Sequence, residues 1–241
     1  MSYQPSSGNG RTISDRRRFG RRAGAAIVVL LLALHSSLAL AAGPITLDGA
    51  FGDWSGQPNL PDPVGDCDKG SIDLDNFAFA TNPDESNVYF MAERVDGDNQ
   101  PIGVRLYVDT NNNGIYTELV DRIIRVRYQP ADSGSSVDVD NYSGADTFIG
   151  ALASNTNWGE SRASGARRVE WVVSFANLGI VSGQPIRMYL ESRPGNTPGG
   201  SACDSTAEVQ WSPADALGLP LLALVFAIGV IGIVYRRSVR S

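Results

Sequence analysis

The residues best suited to chemistry are oxygen-bearing side chains in a short segment near the middle of the chain. Asp109, Asn111 and Asn113 alternate along the segment, and Gly114 follows them. These are the ligand types of positions 1, 3 and 5 of an EF-hand type loop, with the glycine of position 6 permitting the chain to reverse. Alternate side chains then converge on a hard cation. We expect calcium, with the carbonyl oxygen of Ile115 as the ligand at position 7.

The twelfth position of this loop departs from the EF-hand pattern. Val120 stands where a bidentate acid belongs, so Asp121 or Glu118 would have to supply that carboxylate. Asparagine at two of the three ligand positions also lowers the negative charge around the ion. The alternative is an Asn-Gly turn that joins two strands and binds no metal.

A second candidate site centres on one tryptophan in a polar segment. Trp158 is flanked by Asn155, Asn157 and Gly159. An exposed indole can cover the apolar C–H face of a sugar ring while neighbouring amides bind hydroxyl groups. We therefore predict a ligand site at Trp158, Asn155 and Asn157. The other tryptophans are expected to be buried, including Trp54, which follows an Asp-Gly turn.

The remaining composition excludes several classes of function. The chain has one histidine, His35, which lies in the apolar N-terminal run. The central segment therefore has no imidazole for a Ser-His or Cys-His system or for a zinc-bound water. Residues 42–215 contain eleven basic and twenty-five acidic side chains. That charge argues against a nucleic acid partner.

The two ends of the chain have the composition of export and membrane segments. Residues 1–41 combine an arginine cluster, an apolar run and a small-residue cleavage site, and they are predicted to be a signal peptide. Residues 216–235 carry no charge and are long enough to cross a bilayer as a helix. Arginines in residues 236–241 predict a cytoplasmic tail. The domain at residues 42–215 should then lie outside the cytoplasm of a single-pass membrane protein.

Two details of export stay open on the sequence. Arg16, Arg17 and Phe19 fit the spacing of a twin-arginine signal, but they also fit an ordinary basic region of a Sec signal. The C-terminal polar lead, apolar span and arginine cluster resemble sorting signals of the PEP-CTERM type, although the Pro-Glu-Pro element is missing. This resemblance implies a sorting peptidase as partner and a cell-surface location after cleavage. A permanent membrane anchor is the alternative.

Both cysteines, Cys67 and Cys203, fall in the predicted exported domain. An even number of cysteines in an oxidising compartment predicts one disulfide. It would tie an early loop to a late one and serve stability. Two free buried thiols are the alternative, and no Cys-x-x-Cys spacing supports a redox role.

The elements that must position these residues are predicted to be strands. Short apolar runs rich in β-branched and aromatic residues alternate with Gly, Pro, Asn and Asp clusters. Within residues 121–128, Ile123, Arg125 and Arg127 alternate with apolar residues, which predicts one buried face and one wetter face. We expect an all-β fold, an antiparallel β-sandwich ectodomain followed by a single C-terminal transmembrane helix. The predicted strands lie near residues 45–47, 74–81, 88–95, 103–109, 121–128, 147–152, 168–175, 186–192 and 207–211.

The order of several short motifs points to a family. They are Ile-Thr-Leu-Asp-Gly at residues 45–49, Asp-Trp at 53–54, the acidic segment 62–66, Val-Tyr-Phe at 88–90, Asp-Thr-Asn at 109–111, Glu-Trp at 170–171 and Leu-Gly at 178–179. This order resembles carbohydrate-binding module family 9 and the wider DOMON-like sandwiches. The resemblance implies a non-catalytic module that binds carbohydrate or another cell-surface polymer.

Other classes of function fit the residues less well. A glycosidase needs only paired carboxylates, but so many acids make some pair inevitable. Haem-binding DOMON domains suggest Met91 and Met188 as iron ligands, yet signal cleavage removes the only histidine. A structural or adhesive surface protein shares all the features above and is the main alternative.

Overall fold

A computed structural model describes residues 43–83, 85–132, 135–195 and 201–213. The predicted signal peptide at residues 1–41, the predicted span at 216–235 and the tail at 236–241 lie outside these residues. In the part of the chain that is described, no helix combines the length and the apolar character needed to cross a membrane.

The described chain forms two antiparallel sheets, which confirms the all-β prediction. The strands are β1 (Asn59–Pro61), β2 (Leu74–Ala80), β3 (Asn87–Arg94), β4 (Ile102–Asp109), β5 (Arg122–Gln129), β6 (Ser136–Ser143), β7 (Phe148–Thr156), β8 (Arg168–Ser174), β9 (Ile186–Pro194), β10 (Asp204–Ser205) and β11 (Val209–Trp211). The smaller sheet has the order β1-β2-β3-β8. The larger sheet has the order β10-β9-β4-β5-β6-β7, and β11 also pairs with β9.

A single core lies between the two sheets. Every second side chain of a strand faces this core, because successive side chains of a strand point to opposite faces of the sheet. The smaller sheet contributes aromatic residues, including Phe90 and Trp171, whose ring centroids are 5.6 Å apart. The larger sheet contributes mainly aliphatic residues such as Val104, Leu106 and Ile124, all buried. The result is a β-sandwich.

The N-terminal segment covers the outer face of the smaller sheet. Ile45, Phe51 and Trp54 form a second apolar cluster there with Tyr89 and Met91 of β3. Trp54 is buried, as predicted. The expected strand at residues 45–47 is absent among the described residues of this segment. The Ile45 backbone instead pairs with the side chain of Asn82, whose Oδ1 accepts the Ile45 N–H at 2.7 Å.

The other strand predictions agree with the structure to within a few residues, but the sequence pattern does not predict three of the observed strands. The missed strands are β1, β6 and β10. Strand β6 carries Asp138 and Asp140 on its wet face, and aspartate is depleted in strands, which hides the alternation of Val137 and Val139. A single helical turn, α1 (Phe175–Leu178), connects β8 to the loop before β9.

The predicted disulfide between Cys67 and Cys203 is present, with the two Cα atoms 5.5 Å apart. Cys67 follows β1 of the smaller sheet, and Cys203 immediately precedes β10 of the larger sheet. The bond therefore joins the two sheets covalently, in addition to their shared apolar core.

Candidate functional site

The outer face of the larger sheet combines aromatic and charged side chains in three neighbouring cross-strand rows. The register of β4, β5, β6 and β9 aligns these residues. Hydrophobic partners on the opposite face of the same strands face the core. The outer side chains therefore face away from the core, while the inner ones fix the sheet.

The first row is aromatic and apolar. It runs across five strands and consists of Phe148, Tyr142, Ile123, Tyr107 and Tyr189. Tyr107 and Tyr189 stack with their centroids 4.7 Å apart. The row offers rigid apolar surface next to polar hydroxyl groups.

The second row is charged and lies two residues further along each strand. Asp140 pairs with Arg125, Arg125 with Arg105, and Arg105 with Glu191. The third row lies two residues further along each strand. In it, Arg127 lies between Asp138 and Gly103, and Gly103 pairs with Arg193. Opposite charges in directly opposed positions, such as Asp140 and Arg125, stabilise cross-strand pairing, whereas the like charges of Arg125 and Arg105 oppose it.

A groove of about 340 Å³ opens over these rows. Its small floor residues are Gly103, Ala151 and Ala153, and its polar walls are Arg105, Arg125, Arg127, Arg193, Asp138 and Asp140. Tyr142 forms part of the wall, and the Arg125 guanidinium lies 3.8 Å from the centre of its ring. Small residues on a sheet surrounded by long side chains account for the depression.

The two aspartates of the groove have different electrostatic environments. Burial opposes ionisation of Asp138, but the backbone N–H of Asn155 and the guanidinium of Arg127 outweigh it and lower its pKa. Burial and the neighbouring charge of Asp138 raise the pKa of Asp140. Asp138 is therefore a fixed anion, and Asp140 is the less strongly held carboxylate.

Carboxylates fix the orientation of the groove arginines. Arg125 is paired with Asp146, Arg127 with Asp138, and Arg193 with Glu191. A guanidinium has five N–H donors, and the pairs of Arg125 and Arg127 leave donors that can serve a ligand. The Nε of Arg125 is buried and has no hydrogen-bond acceptor in the part of the chain described.

The predicted calcium loop is closed by its own hydrogen bonds. Asp109 is fully buried at the end of β4, and its two oxygens accept the N–H groups of Asn113 at 3.2 Å and Gly114 at 2.6 Å. Asn113 Oδ1 accepts the N–H of Ile115 at 2.8 Å. Asn111 Oδ1 accepts the Asn113 N–H at 3.2 Å. The alternating side chains therefore all turn into the loop.

The acid that faces the two asparagines is Glu118 and not Asp121. The Nδ2 atoms of Asn111 and Asn113 donate to Glu118 Oε2 at 2.8 and 2.7 Å. These bonds lower the pKa of Glu118. Both oxygens of Asp121 instead accept backbone N–H groups, from Thr110 at 3.1 Å and from Glu118 at 3.0 Å. Burial raises the pKa of Asp121.

The predicted sugar site around Trp158 has a different setting. Trp158 is half-buried and packs against the core between the sheets. Asn155 Oδ1 accepts a hydrogen bond from Ser136, and Asn157 Oδ1 accepts the N–H of Ser135. The two amides thus tie the ends of β6 and β7 together. Ligand binding by Trp158, Asn155 and Asn157 stays a prediction.

No family model, curated protein or solved structure matches this chain.

The sequence does not predict the groove, although two of its arginines lie in a recognisable pattern. Arg125 and Arg127 lie on the wet face of an alternating strand. Their partners Asp138 and Asp140 belong to the strand that was missed. Pairing of β5 with β6 brings the four together, and pairing between strands is long-range information that periodicity alone does not contain.

Proposed function

We propose that this chain is a non-catalytic binding protein of the cell surface and that its ligand is a carbohydrate held in the groove of the larger sheet. The observation that supports this proposal is the lining of that groove, which places guanidinium, carboxylate and tyrosine groups around a floor of small residues. Its volume of about 340 Å³ lies in the range of small-molecule sites.

The chemistry of the lining suits a sugar with carboxylate groups. Hydroxyl groups both donate and accept hydrogen bonds, so they can use arginine N–H groups and aspartate oxygens together. Guanidinium groups also bind carboxylates in a bidentate geometry. The lining has four arginines and two aspartates, although residues 42–215 as a whole are strongly acidic. We therefore place uronic-acid polymers ahead of neutral glycans.

The proposal includes the ends of the chain and the cation loop. Residues 216–235 would hold the domain outside the cytoplasm at the cell membrane, or would direct it to the cell surface through a sorting peptidase. Calcium bound by Asp109, Asn111, Asn113 and Glu118 would stabilise the domain. Both statements rest on the sequence patterns, and for the second the Glu118 carboxylate lies beside both asparagines, within hydrogen-bond distance of their amide groups.

A structural or adhesive role is the second candidate, and one observation favours it. Strand β7 is the last strand of the larger sheet, and Phe148 and Ile149 at its start are 55% and 52% exposed. An exposed apolar edge strand can pair with another chain. Association of purified protein without any glycan would support this role.

Titration calorimetry of the full chain, purified in detergent, tests the carbohydrate proposal. The probes are oligogalacturonate and a neutral glucan of matched length. We expect oligogalacturonate to bind more tightly. Arg127→Ala should weaken its binding at least about tenfold, because a charge-assisted contact is lost.

Two further variants make the test specific. Arg162→Ala is the matched control, since this exposed arginine has a single distant ion pair with Asp132 and lies outside the groove. Gly103→Leu should block the groove, because Gly103 lines it and a Cβ there is tolerated, with its nearest neighbour, the carbonyl oxygen of Gly195, at an ordinary contact distance of 3.4 Å. Equal affinities for the Arg127 and Arg162 variants would contradict the proposed site. Release of reducing ends from a bound glycan would contradict the non-catalytic role.

A further inference from the structure

Three acidic side chains meet beside the disulfide, where the two sheets are joined. The carboxylate oxygens of Asp62, Asp66 and Asp204 lie within 4.8 Å of one another. Asp62 directly follows β1 of the smaller sheet, and Asp204 begins β10 of the larger sheet. A group from each sheet therefore contributes to one cluster of negative charge.

Asp62 is the member that requires an explanation. Its residue is only 8% exposed, and its Oδ2 is buried with no hydrogen-bond donor in the part of the chain described. Leaving a carboxylate oxygen buried and unsatisfied is costly. The charges that act most strongly on it, from Asp204, Asp66 and Asp73, are all negative. Burial and these charges raise the pKa of Asp62 to about 7. Among the described residues, no arginine or lysine forms an ion pair with Asp62, Asp66 or Asp204.

The backbone holds the cluster in place without any ion. Asp204 Oδ2 accepts the N–H of Leu74 at 2.6 Å. Asp73 Oδ2 accepts the N–H of Gly65 at 2.8 Å, which fixes the loop between Asp62 and Asp66. Gly65 has a φ of +94°, a conformation that favours glycine.

The disulfide also holds two of the acids together. Cys67 follows Asp66 in sequence, and Cys203 precedes Asp204. The Cα separation of 5.5 Å between the cysteines keeps these two neighbours close. Like charges held together by covalent structure repel, and a divalent cation removes that repulsion.

We propose that Asp62, Asp66 and Asp204 form a divalent cation site that is specific for calcium. The ligands are carboxylate oxygens, which hard cations prefer, and Asp66 is exposed, which gives the ion a route from solvent. Calcium accepts irregular oxygen geometry and bound waters, whereas magnesium requires nearly ideal octahedral geometry. The site is separate from the groove and from the loop at residues 109–121. Its ion links the two sheets next to the disulfide.

Titration calorimetry with calcium chloride, on the full chain in detergent after removal of metal by chelation, tests this site. The background variant is Glu118→Gln, which weakens the other candidate calcium site. We expect this protein to bind one calcium ion, and to bind magnesium less tightly. Asp66→Asn in the same background should raise the calcium dissociation constant at least about tenfold, because a charged ligand is lost.

Asp68→Asn is the matched control for this experiment. Asp68 is exposed in the same loop and carries the same charge, but it lies outside the cluster. Its substitution should change the dissociation constant by less than about twofold. Equal effects of the Asp66 and Asp68 substitutions would show a general charge effect and would overturn the site.

The variant Asp62→Asn distinguishes a cation site from the alternative explanation, in which Asp62 and Asp204 share a proton. We expect the variant to keep its disulfide and circular dichroism spectrum and to lose calcium binding. If the Glu118→Gln protein takes up no calcium even with Asp62 intact, the carboxyl groups share a proton and the proposal is wrong.

Discussion

At the scale of single residues, one buried carboxylate fixes the position of the N-terminal segment. Glu170 is fully buried in β8 and accepts three N–H donors, from Asp48 and Gly49 at 2.9 Å and from Trp54 Nε1 at 2.9 Å. It thereby fastens the N-terminal segment onto the smaller sheet. Glu170 belongs to one of the motifs that carry the family resemblance, but its partner residues lie far away in the chain.

Glu170→Gln should destabilise the fold. The amide oxygen can still accept the Asp48 and Gly49 donors, but the amide NH₂ then faces the indole N–H of Trp54. We expect a loss of about 1–3 kcal/mol in the free energy of unfolding, measured by urea denaturation, because a buried donor is left unsatisfied. In a Trp54→Phe background the same substitution should cost less, since that donor is gone.

The pH dependence of this loss follows from the pKa of Glu170. Burial raises it to about 7, from an ordinary value of 4.5. A raised pKa gives stability that is complete below the unfolded-state pKa and is lost as the pH rises through about 7. The difference in unfolding free energy between wild type and Glu170→Gln should shrink from pH 5 to pH 8, by at most about 1.4 kcal/mol per pH unit. A difference that is constant or grows would contradict this assignment.

At the scale of elements, the loop between β4 and β5 has two interpretations, a calcium site and a turn that binds no metal. Its alternating oxygens were visible in the sequence because a loop motif is local. The sequence does not show which acid faces the asparagines, since Asp121 and Glu118 are both within reach along the chain. The structure assigns the backbone contacts to Asp121 because it is buried, and the asparagine contacts to Glu118.

Calcium should stabilise the chain through this loop if Asp109, Asn111 and Asn113 are ligands. At about one hundred times the dissociation constant, a site of the native state adds about 2.7 kcal/mol of stability. Scanning calorimetry should then show a melting temperature several degrees higher in calcium than in chelator. The comparison belongs in an Asp66→Asn background, which weakens the other proposed site.

Glu118→Gln should remove most of that calcium-dependent shift while leaving melting in chelator nearly unchanged, because Glu118 is only half-buried and a glutamine oxygen can still accept the asparagine amides. Asp109→Ala is a less specific variant, since it also removes two hydrogen bonds to the loop backbone. Identical melting in chelator and in millimolar calcium would show that this segment is only a turn.

At the scale of the whole molecule, the sequence predicts most of the strands and the disulfide but not the face that carries the groove. Alternation of apolar residues identified β5, and cysteine parity in a predicted exported domain identified the bond between Cys67 and Cys203. The outer face depends on which strands are neighbours. Pairing of β4 with both β5 and β9 joins residues that are far apart in sequence. The Asp62 cluster likewise needs Asp204, where the sequence offered only nearby acids.

The central claim is that a glycan binds in the groove of the larger sheet. Hydroxyl-radical footprinting of the full chain, with and without saturating oligogalacturonate, tests it most directly because it compares two half-buried aromatic side chains in one sample. Tyr142 lines the groove, and Trp158 lies outside it. We expect the ligand to slow oxidation of Tyr142 and to leave that of Trp158 unchanged. Protection of Trp158 with no change at Tyr142 would contradict the claim.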